Sequence, residues 1–318
     1  MESLAVRVVR KLQEAQDVAS FELARADGAA LPSFSAGSHI DVQVPGGLTR
    51  QYSLCNDSGE QHRYRIAVLR DPASRGGSVA MHDAVHEGDV IHISEPRNHF
   101  PLHHATRSLL FAGGIGVTPL LCMAQRLATV GADFTLHYCT RSPERTAFHQ
   151  EITASPFARC VQFHFDSGPG EQKLDLPSVI AQPEAGTQLY VCGPAGFIEY
   201  VVSTAKARGW PGDQIHLEYF GAAPQDTTGD TAFEVKIAST GKSYPVAAGQ
   251  SVVQALQAHG IEILTSCEQG VCGTCITRLL DGEPDHRDMY FTDEEHAKND
   301  QFTPCCSRAK SRTLVLDL

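Results

Sequence analysis

Cys267, Cys272 and Cys275 fall within nine positions, in the spacing C-x4-C-x2-C, and Cys305 follows after 29 intervening residues. Two irons bridged by two sulfides need four thiolates, and this is a spacing that supplies them. A short loop brings three thiolates to one cluster only if its backbone turns sharply. Gly270 and Gly273 permit that turn and let N–H groups approach the sulfurs, where hydrogen bonds tune the reduction potential. The competing readings are a zinc site and buried structural cysteines. Structural zinc usually pairs its ligands as C-x2–4-C twice, whereas the second half here offers only the adjacent Cys305 and Cys306. Neighbouring side chains in an extended segment point to opposite faces, so one of the two ligates, and Cys305 keeps the interval.

A second set of residues suits a flavin. R-Q-Y-S-L, 50–54, ends an alternating segment. Tyr52 can lie along an isoalloxazine face, Ser53 can offer its hydroxyl to the hydride-accepting N5, and Arg50 can fork onto a phosphate. Taken alone, a surface strand carries the same letters. R-G-G-S, 75–78, opens a helix-like VAMHDAV. Free N–H groups at a helix start, with Gly76 and Gly77 admitting close approach, make a phosphate cradle; the plainer alternative is a glycine turn capped by Ser78.

A third set suits a pyridine nucleotide. F-A-G-G-I-G-V-T-P-L-L, 111–121, reads strand, glycine turn, helix. Pro119 suits a first helical turn and Thr118 a position near the cap. Gly113, Gly114 and Gly116 let backbone approach a pyrophosphate, although the run is not G-x-G-x-x-G. V-C-G-P-A-G-F, 191–197, repeats the turn with Cys192 at its tip, followed by Gly193 and Pro194. In a parallel sheet both tips reach the carboxyl edge, where ligands bind, and Cys192 then touches the reacting nicotinamide. A buried cysteine on a strand end is the plainer alternative.

The elements that must position these residues fall into three zones. Residues 1–103 alternate apolar and polar in many short strands (LAVRVVRKL, SFELA, HIDVQV, RYRIAVL, DVIHIS), which predicts a barrel. Residues 104–222 alternate strand and helix, which predicts βαβ units and a parallel sheet. Residues 223–231 are small and polar and read as a linker. Residues 232–318 hold the strands FEVKIA and TLVLDL, the helix SVVQALQAHG and the cysteines. At 318 residues, 42% hydrophobic and 20% charged, the chain suits a globular protein of two or three domains. The first residues read as a strand, not a signal peptide, and no run approaches the ~18 apolar residues of a membrane helix. The expectation is a cytoplasmic protein whose ten cysteines serve metal or redox chemistry. A net charge of −11 argues against nucleic acid and anionic membrane as partners.

In this order, RQYSL, GGIGVTPL, YVCGPAGF, EYFG and C-x4-C-x2-C, the chain resembles the phthalate dioxygenase reductase family. That family is a branch of the ferredoxin–NADP reductase superfamily and includes vanillate O-demethylase reductases. The resemblance runs over essentially the whole chain. It implies a multi-domain α+β protein: an antiparallel flavin-binding β-barrel, an α/β parallel-sheet nucleotide domain and a β-grasp plant-type ferredoxin domain. By resemblance, Arg50, Gln51, Tyr52 and Ser53 form the flavin motif, Ala67, Val68 and Leu69 the strand beside the ring, and Arg75, Gly76 and Gly77 the FMN phosphate site. Thr118 meets flavin and pyridine nucleotide, Phe220 stacks on the flavin where nicotinamide must displace it, and Cys267, Cys272, Cys275 and Cys305 hold the cluster. FMN rather than FAD is the family's implication. Arg141 and Arg145 after FTLHYC can hold a 2′-phosphate and favour NADPH; the resemblance points to NADH, with Asp166 accepting from ribose or adenine.

The function implied is electron transfer from NADH through FMN to the 2Fe–2S cluster, and on to a Rieske-type oxygenase component, as in aromatic dioxygenase or O-demethylase systems. A flavin is required because a hydride donor delivers electrons in pairs and the cluster takes one. The alternatives are another acceptor, such as a haem monooxygenase or a siderophore, and a non-catalytic redox sensor. Residues 281–300 hold eight carboxylates and two basic side chains; they form either a solvated face or a surface that steers the partner. His82 and His86 read as surface residues, and His103-His104 as a domain junction.

Overall fold

The computed structural model describes residues 3–71, 76–221 and 226–318. The chain divides into two compact units, one ending at Phe220 and one beginning at Gly221.

The first unit opens with an antiparallel sheet of β1 (Leu4–Ala15), β2 (Val18–Arg25), β3 (Ser38–Val44), β4 (Leu48–Ser53) and β5 (Tyr64–Leu69). The helix α1 (Gly77–Ala84) follows, then β6 (Val90–Ile93) and the short β7 (Arg97–Asn98). Strand order is β4-β3-β6-β1-β2-β5, with β7 on β3. A bridge between Leu54 and Ile66 joins the two end strands, so the sheet closes on itself. Alternation explains the closure. Val6 and Val8 of β1, Phe21 and Leu23 of β2, and Ile40 and Val42 of β3 point into one core with Tyr64 and Ile66. Each such buried side chain is worth about 1.5–3 kcal/mol against exposure.

A parallel sheet follows, built from β8 (Arg107–Gly113), α2 (Val117–Thr129), β9 (Asp133–Thr140), α3 (His149–Ala154), β10 (Val161–Phe165), α4 (Leu176–Val179), β11 (Thr187–Cys192), α5 (Ala195–Ala207) and β12 (Ile215–Glu218). Its order is β10-β9-β8-β11-β12. β8 is buried on both faces: Leu110 and Ala112 face one cluster with α2, while Leu109 and Phe111 face another with α5. The chain leaves β8 toward β9 on one side and reaches β12 from β11 on the other, so the switch point lies between β8 and β11. Ligands bind at such a point, outside the carboxyl ends of the strands.

The barrel and the parallel sheet share packing, since Val18, Cys55, Ala67 and Phe100 lie in the same cluster as α2. An ion pair whose guanidinium is buried reinforces this seam. Both Arg65 guanidinium ends donate to the Glu151 carboxylate at 2.7 Å, and the guanidinium lies over the Phe148 ring. His103, expected at a domain junction, donates its backbone N–H to the Tyr190 hydroxyl and stacks on His216.

The second unit has β13 (Phe233–Ile237), β14 (Ser243–Val246), α6 (Val252–Gln257), β15 (Thr277–Asp281), β16 (Pro284–Asp285), α7 (Asp293–Lys298), β17 (Gln301–Phe302), β18 (Arg308–Ala309) and β19 (Thr313–Leu316). The main sheet runs β14-β13-β19-β15-β17, with β13 parallel to β19. Ser251 and Gln254 form a capping box at α6, whose Val252, Ala255 and Leu256 pack on the sheet. The end of the polar 223–231 segment is anchored within this unit: Asp230 pairs with Arg287 at 2.8 Å and Arg308 at 3.3 Å. Among the described residues, no helix is long and apolar enough to cross a membrane.

Glu151→Ala leaves the Arg65 guanidinium buried without its carboxylate. The Glu151 side chain is 39% exposed, so the expected loss is about 2 kcal/mol, below the 3–5 kcal/mol of a fully buried pair. Thermal unfolding should show a lower Tm, largely recovered in Arg65→Met/Glu151→Leu. An unchanged Tm in Glu151→Ala would show that the pair does not hold the seam.

Candidate functional site

Two strand-to-helix turns meet at the switch point, and they meet because glycines stand where they touch. A Cβ on Gly116 would lie 2.3 Å from the Cys192 carbonyl oxygen, and one on Gly193 would lie 2.9 Å from Gly113 Cα. A Cβ on Gly113 would meet Phe197 and Pro194 at 2.9 Å. Gly113 and Gly116 were expected to let backbone approach a pyrophosphate; the directions in which their Cβ atoms would point are filled by the neighbouring turn. Gly114 has nothing there within 4 Å and φ +54°. A short 3-10 turn, 114–116, leads into α2, so Thr118 and Pro119 lie in its first turn. The Thr118 hydroxyl donates to the Ile115 carbonyl at 3.1 Å.

β12 lies beside β11 in parallel register, pairing Glu218 with Cys192. The Ser53 hydroxyl, at the end of β4, lies 3.5 Å from Glu218 Oε2. Ser53 and Cys192, expected from sequence, therefore converge with Glu218, which sequence reading passed over although it opens the EYFG stretch. Glu218 as a residue is half-buried, but its carboxyl end is turned inward toward the buried Ser53. Burial raises its pKa to about 8, against a smaller lowering by the Ser53 hydroxyl. Burial likewise pushes the Cys192 thiol well up, with Glu218 adding to the effect. At neutral pH the group is thus a neutral carboxyl, a hydroxyl and a protonated thiol, a set of donors with no net charge. Phe220, two residues beyond β12, is 42% exposed.

The flavin-type residues sit on the barrel rim near α1. A Cβ on Gly77 would stand 2.6 Å from Arg50 Cγ and 2.7 Å from its Nε. The glycine at 77 lets the Arg50 side chain lie across the start of α1. Gly76 caps that helix with φ 86°; Ser78 lies inside it, its hydroxyl near the Asp71 backbone. Lys11 donates to the His82 and Val85 carbonyls at 2.6 and 2.7 Å, placing a cation at the other end of α1. Arg75 lies outside the described residues. Tyr52 and Gln51 line β4; Gln51 lies 3.3 Å from the His39 ring. Ala67 and Val68 are buried and Leu69 is exposed. His82 is half-buried, with its ring 2.8 Å from the Val68 carbonyl, while His86 is exposed beside Asp89.

At the far end of β9 and β10 the backbones of Arg141 and Asp166 run side by side: Ser167 N–H donates to the Arg141 carbonyl at 2.9 Å, and Asp166 N–H to the Thr140 carbonyl at 3.0 Å. Both side chains are exposed. Arg145 turns back to Asp17 on the barrel, at 3.6 Å.

In the second unit all four expected cysteines are buried and free. Cys267 lies within hydrogen-bonding reach of Cys272 and Cys305, and Cys305 of Cys275. Gln269 N–H donates to Cys267 Sγ at 3.3 Å, and the Thr274 hydroxyl lies 3.3 Å from Cys272 Sγ. Neighbouring thiols and backbone N–H groups draw Cys267 far below its ordinary pKa while holding Cys272 and Cys305 far up. Cys267, Cys272 and Cys305, so crowded, cannot all ionise alone; a bound iron centre would let them. Gly270 and Gly273 both take positive φ, 73° and 71°. A Cβ on Gly273 would lie 2.5 Å from the Tyr290 ring, and one on Gly270 2.4 Å from Cys306 Sγ. Cys306 is thus turned behind the loop, against Thr303 at 3.2 Å, while Cys305 joins the other three.

Residues 235–310 match the 2Fe-2S iron-sulfur cluster binding domain, and residues 97–215 the N-terminal domain of dimethylamine monooxygenase subunit DmmA-like proteins. Vanillate O-demethylase oxidoreductase from Pseudomonas sp. (strain HR199) is 58% identical over 305 residues, 96% of each chain. Phthalate dioxygenase reductase from Burkholderia cepacia is 42% identical over 317 residues, 99% of this chain and 97% of its own. The solved structure of phthalate dioxygenase reductase, described as a modular structure for electron transfer from pyridine nucleotides to a 2Fe–2S cluster, superposes with TM-score 0.79. It is 42% identical and covers 99% of this chain and 98% of its own. With barrel, parallel sheet and four-cysteine unit in the same order over the whole length, this chain belongs to the phthalate dioxygenase reductase family of flavin and iron–sulfur oxidoreductases.

Proposed function

We propose that the chain takes hydride from NADH and delivers single electrons, through FMN and its 2Fe–2S cluster, to a Rieske-type oxygenase component. The convergence of Ser53, Cys192 and Glu218 at the switch point carries this reading. Residues 1–103 would serve as the FMN module, 104–222 as the NAD module, 223–231 as linker and 232–318 as the cluster module. Arg50, Gly76, Gly77 and Ser78, with Arg75, would hold the FMN phosphate; Tyr52 and the strand Ala67–Leu69 would flank the ring. FMN supplies the conversion of a two-electron donor into one-electron steps.

The chain's own groups orient that chemistry. Ser53 offers a hydroxyl at the ring edge, and the protonated Cys192 and Glu218 keep negative charge away from a site that must receive hydride. Phe220 covers the position the nicotinamide takes. Gly113, Gly114, Gly116, Thr118 and Pro119, with Gly193 and Pro194, frame the nucleotide crevice. Arg145 is engaged by Asp17, which leaves Arg141 and the Asp166 carboxylate at the ribose position and supports NADH over NADPH. The close similarity to vanillate O-demethylase oxidoreductase supports an oxygenase partner that demethylates a methoxy-aromatic acid.

Anaerobic NADH should bleach flavin and cluster absorption together. Cys305→Ser should lose the iron and the cluster bands, and Cys306→Ser should keep both; the reverse pattern would reassign the fourth ligand. As pH rises through about 8, the Glu218 carboxyl ionises, so stopped-flow reduction by NADH should slow. Glu218→Gln should flatten that profile while keeping the rate at pH 7 within about tenfold. Because the folded state holds this proton more tightly, Glu218 also makes stability fall as pH rises between about 4.5 and about 8. An unaltered alkaline limb in Glu218→Gln would remove the carboxyl from this role. If residues 281–300 steer the partner, added salt should slow oxygenase-coupled turnover but not ferricyanide reduction.

A further inference from the structure

The segment that closes over the cluster loop carries a group of side chains that electron transfer does not use. We propose that His286, Asp288 and His296 form a second metal site in the C-terminal unit, taking one divalent ion of the zinc type.

One ligand atom from each residue lies within 4.8 Å of the others. His296 Nε2 is 3.2 Å from Asp288 Oδ2, and His286 Nδ1 is 3.7 Å from Asp288 Oδ1. Ligands about 2.0–2.2 Å from a tetrahedral zinc stand roughly 3.4 Å apart, so the cluster needs only small side-chain adjustments. The rings of His286 and His296 are stacked with centroids 4.3 Å apart, both turned toward the same carboxylate.

His286 is the informative member. Both its ring nitrogens are buried without a hydrogen-bond partner. A neutral imidazole in that state leaves a buried donor and a buried acceptor unmet, which is costly. A bound cation takes the lone pair.

The carboxylate is already oriented as a metal ligand's should be. Asp288 Oδ2 accepts from the Phe291 and Tyr290 N–H groups at 2.9 and 3.2 Å; Oδ1 accepts from the Thr303 and Ser307 hydroxyls at 3.2 and 3.4 Å. Such outer contacts fix ligand geometry and are worth 10–100-fold in affinity. Nearby cations are engaged elsewhere: Lys310 pairs with Glu283 at 3.4 Å, and Arg287 with Asp230 and Asp285. Two imidazoles and a carboxylate suit zinc better than magnesium or calcium, which prefer all-oxygen shells.

The site is joined to the cluster frame. Thr303 and Ser307 flank Cys305, and Met289 N–H donates to the Gly270 carbonyl at 3.0 Å. An ion there ties α7 to both halves of the cluster loop.

The cluster-loaded holoprotein should be equilibrated with zinc chloride, freed of loose metal by dialysis, and assayed for zinc and iron by mass spectrometry. The wild type should retain one zinc per chain with iron unchanged. His286→Gln/His296→Gln should bind zinc at least about tenfold more weakly, with iron and visible spectrum intact. Zinc X-ray absorption on the wild type reads the site without any variant: a nitrogen and oxygen shell is expected, and sulfur scattering would place the ion on the cysteines. Sulfur ligation, zinc gained only as iron is lost, or equal binding by the variant would each overturn the proposal.

Discussion

Two loops of backbone touch at the carboxyl edge of the parallel sheet, and the active crevice is built around that touch. Gly116 leaves no room for a methyl group beside the Cys192 carbonyl, Gly193 leaves none beside Gly113, and Gly113 leaves none beside Phe197 and Pro194. The contact fixes where β11 ends relative to α2. It therefore fixes where Cys192 points and, through the register of β12, where Glu218 must stand. A barrel strand end carrying Ser53 completes the group. Binding chemistry at this edge follows from the topology, but its charge state follows from burial: three ionisable or polar groups are packed so that each keeps its proton.

The cluster unit solves a different problem. Its loop must wrap four sulfurs while exposing N–H groups to them, which demands backbone conformations that side chains resist. Gly270 and Gly273 take those conformations, and Cys306 and Tyr290 occupy the space a side chain would have filled. Asp288 gathers the donors of the covering segment and of the strand turn after Phe302, so that one buried carboxylate braces both halves of the loop.

Much of this was legible in the sequence. The cysteine spacing, the strand-helix alternation and the order of the motifs each report a local rule, and all of them point to one architecture. Less legible were features that depend on which surfaces meet. The glycines at the end of β8 read as places where backbone can approach a ligand, and the structure adds that the Cβ directions of Gly113 and Gly116 are filled by a turn about 80 positions later. Glu218 sits in an unremarkable strand and becomes distinctive only when burial raises its pKa. Arg145 has the letters of a phosphate ligand and stands 3.6 Å from Asp17 of the barrel, a partner its sequence neighbours do not announce. No spacing rule anticipates partners brought together by tertiary folding.

The ion pair of Arg65 and Glu151, set in a continuous apolar seam, bears on how freely the barrel and the sheet can part. Prising barrel from sheet would strand a guanidinium in an apolar wall and open the packing of α2 at once. The barrel and the sheet are thereby held as a fixed frame rather than as a pair of jaws.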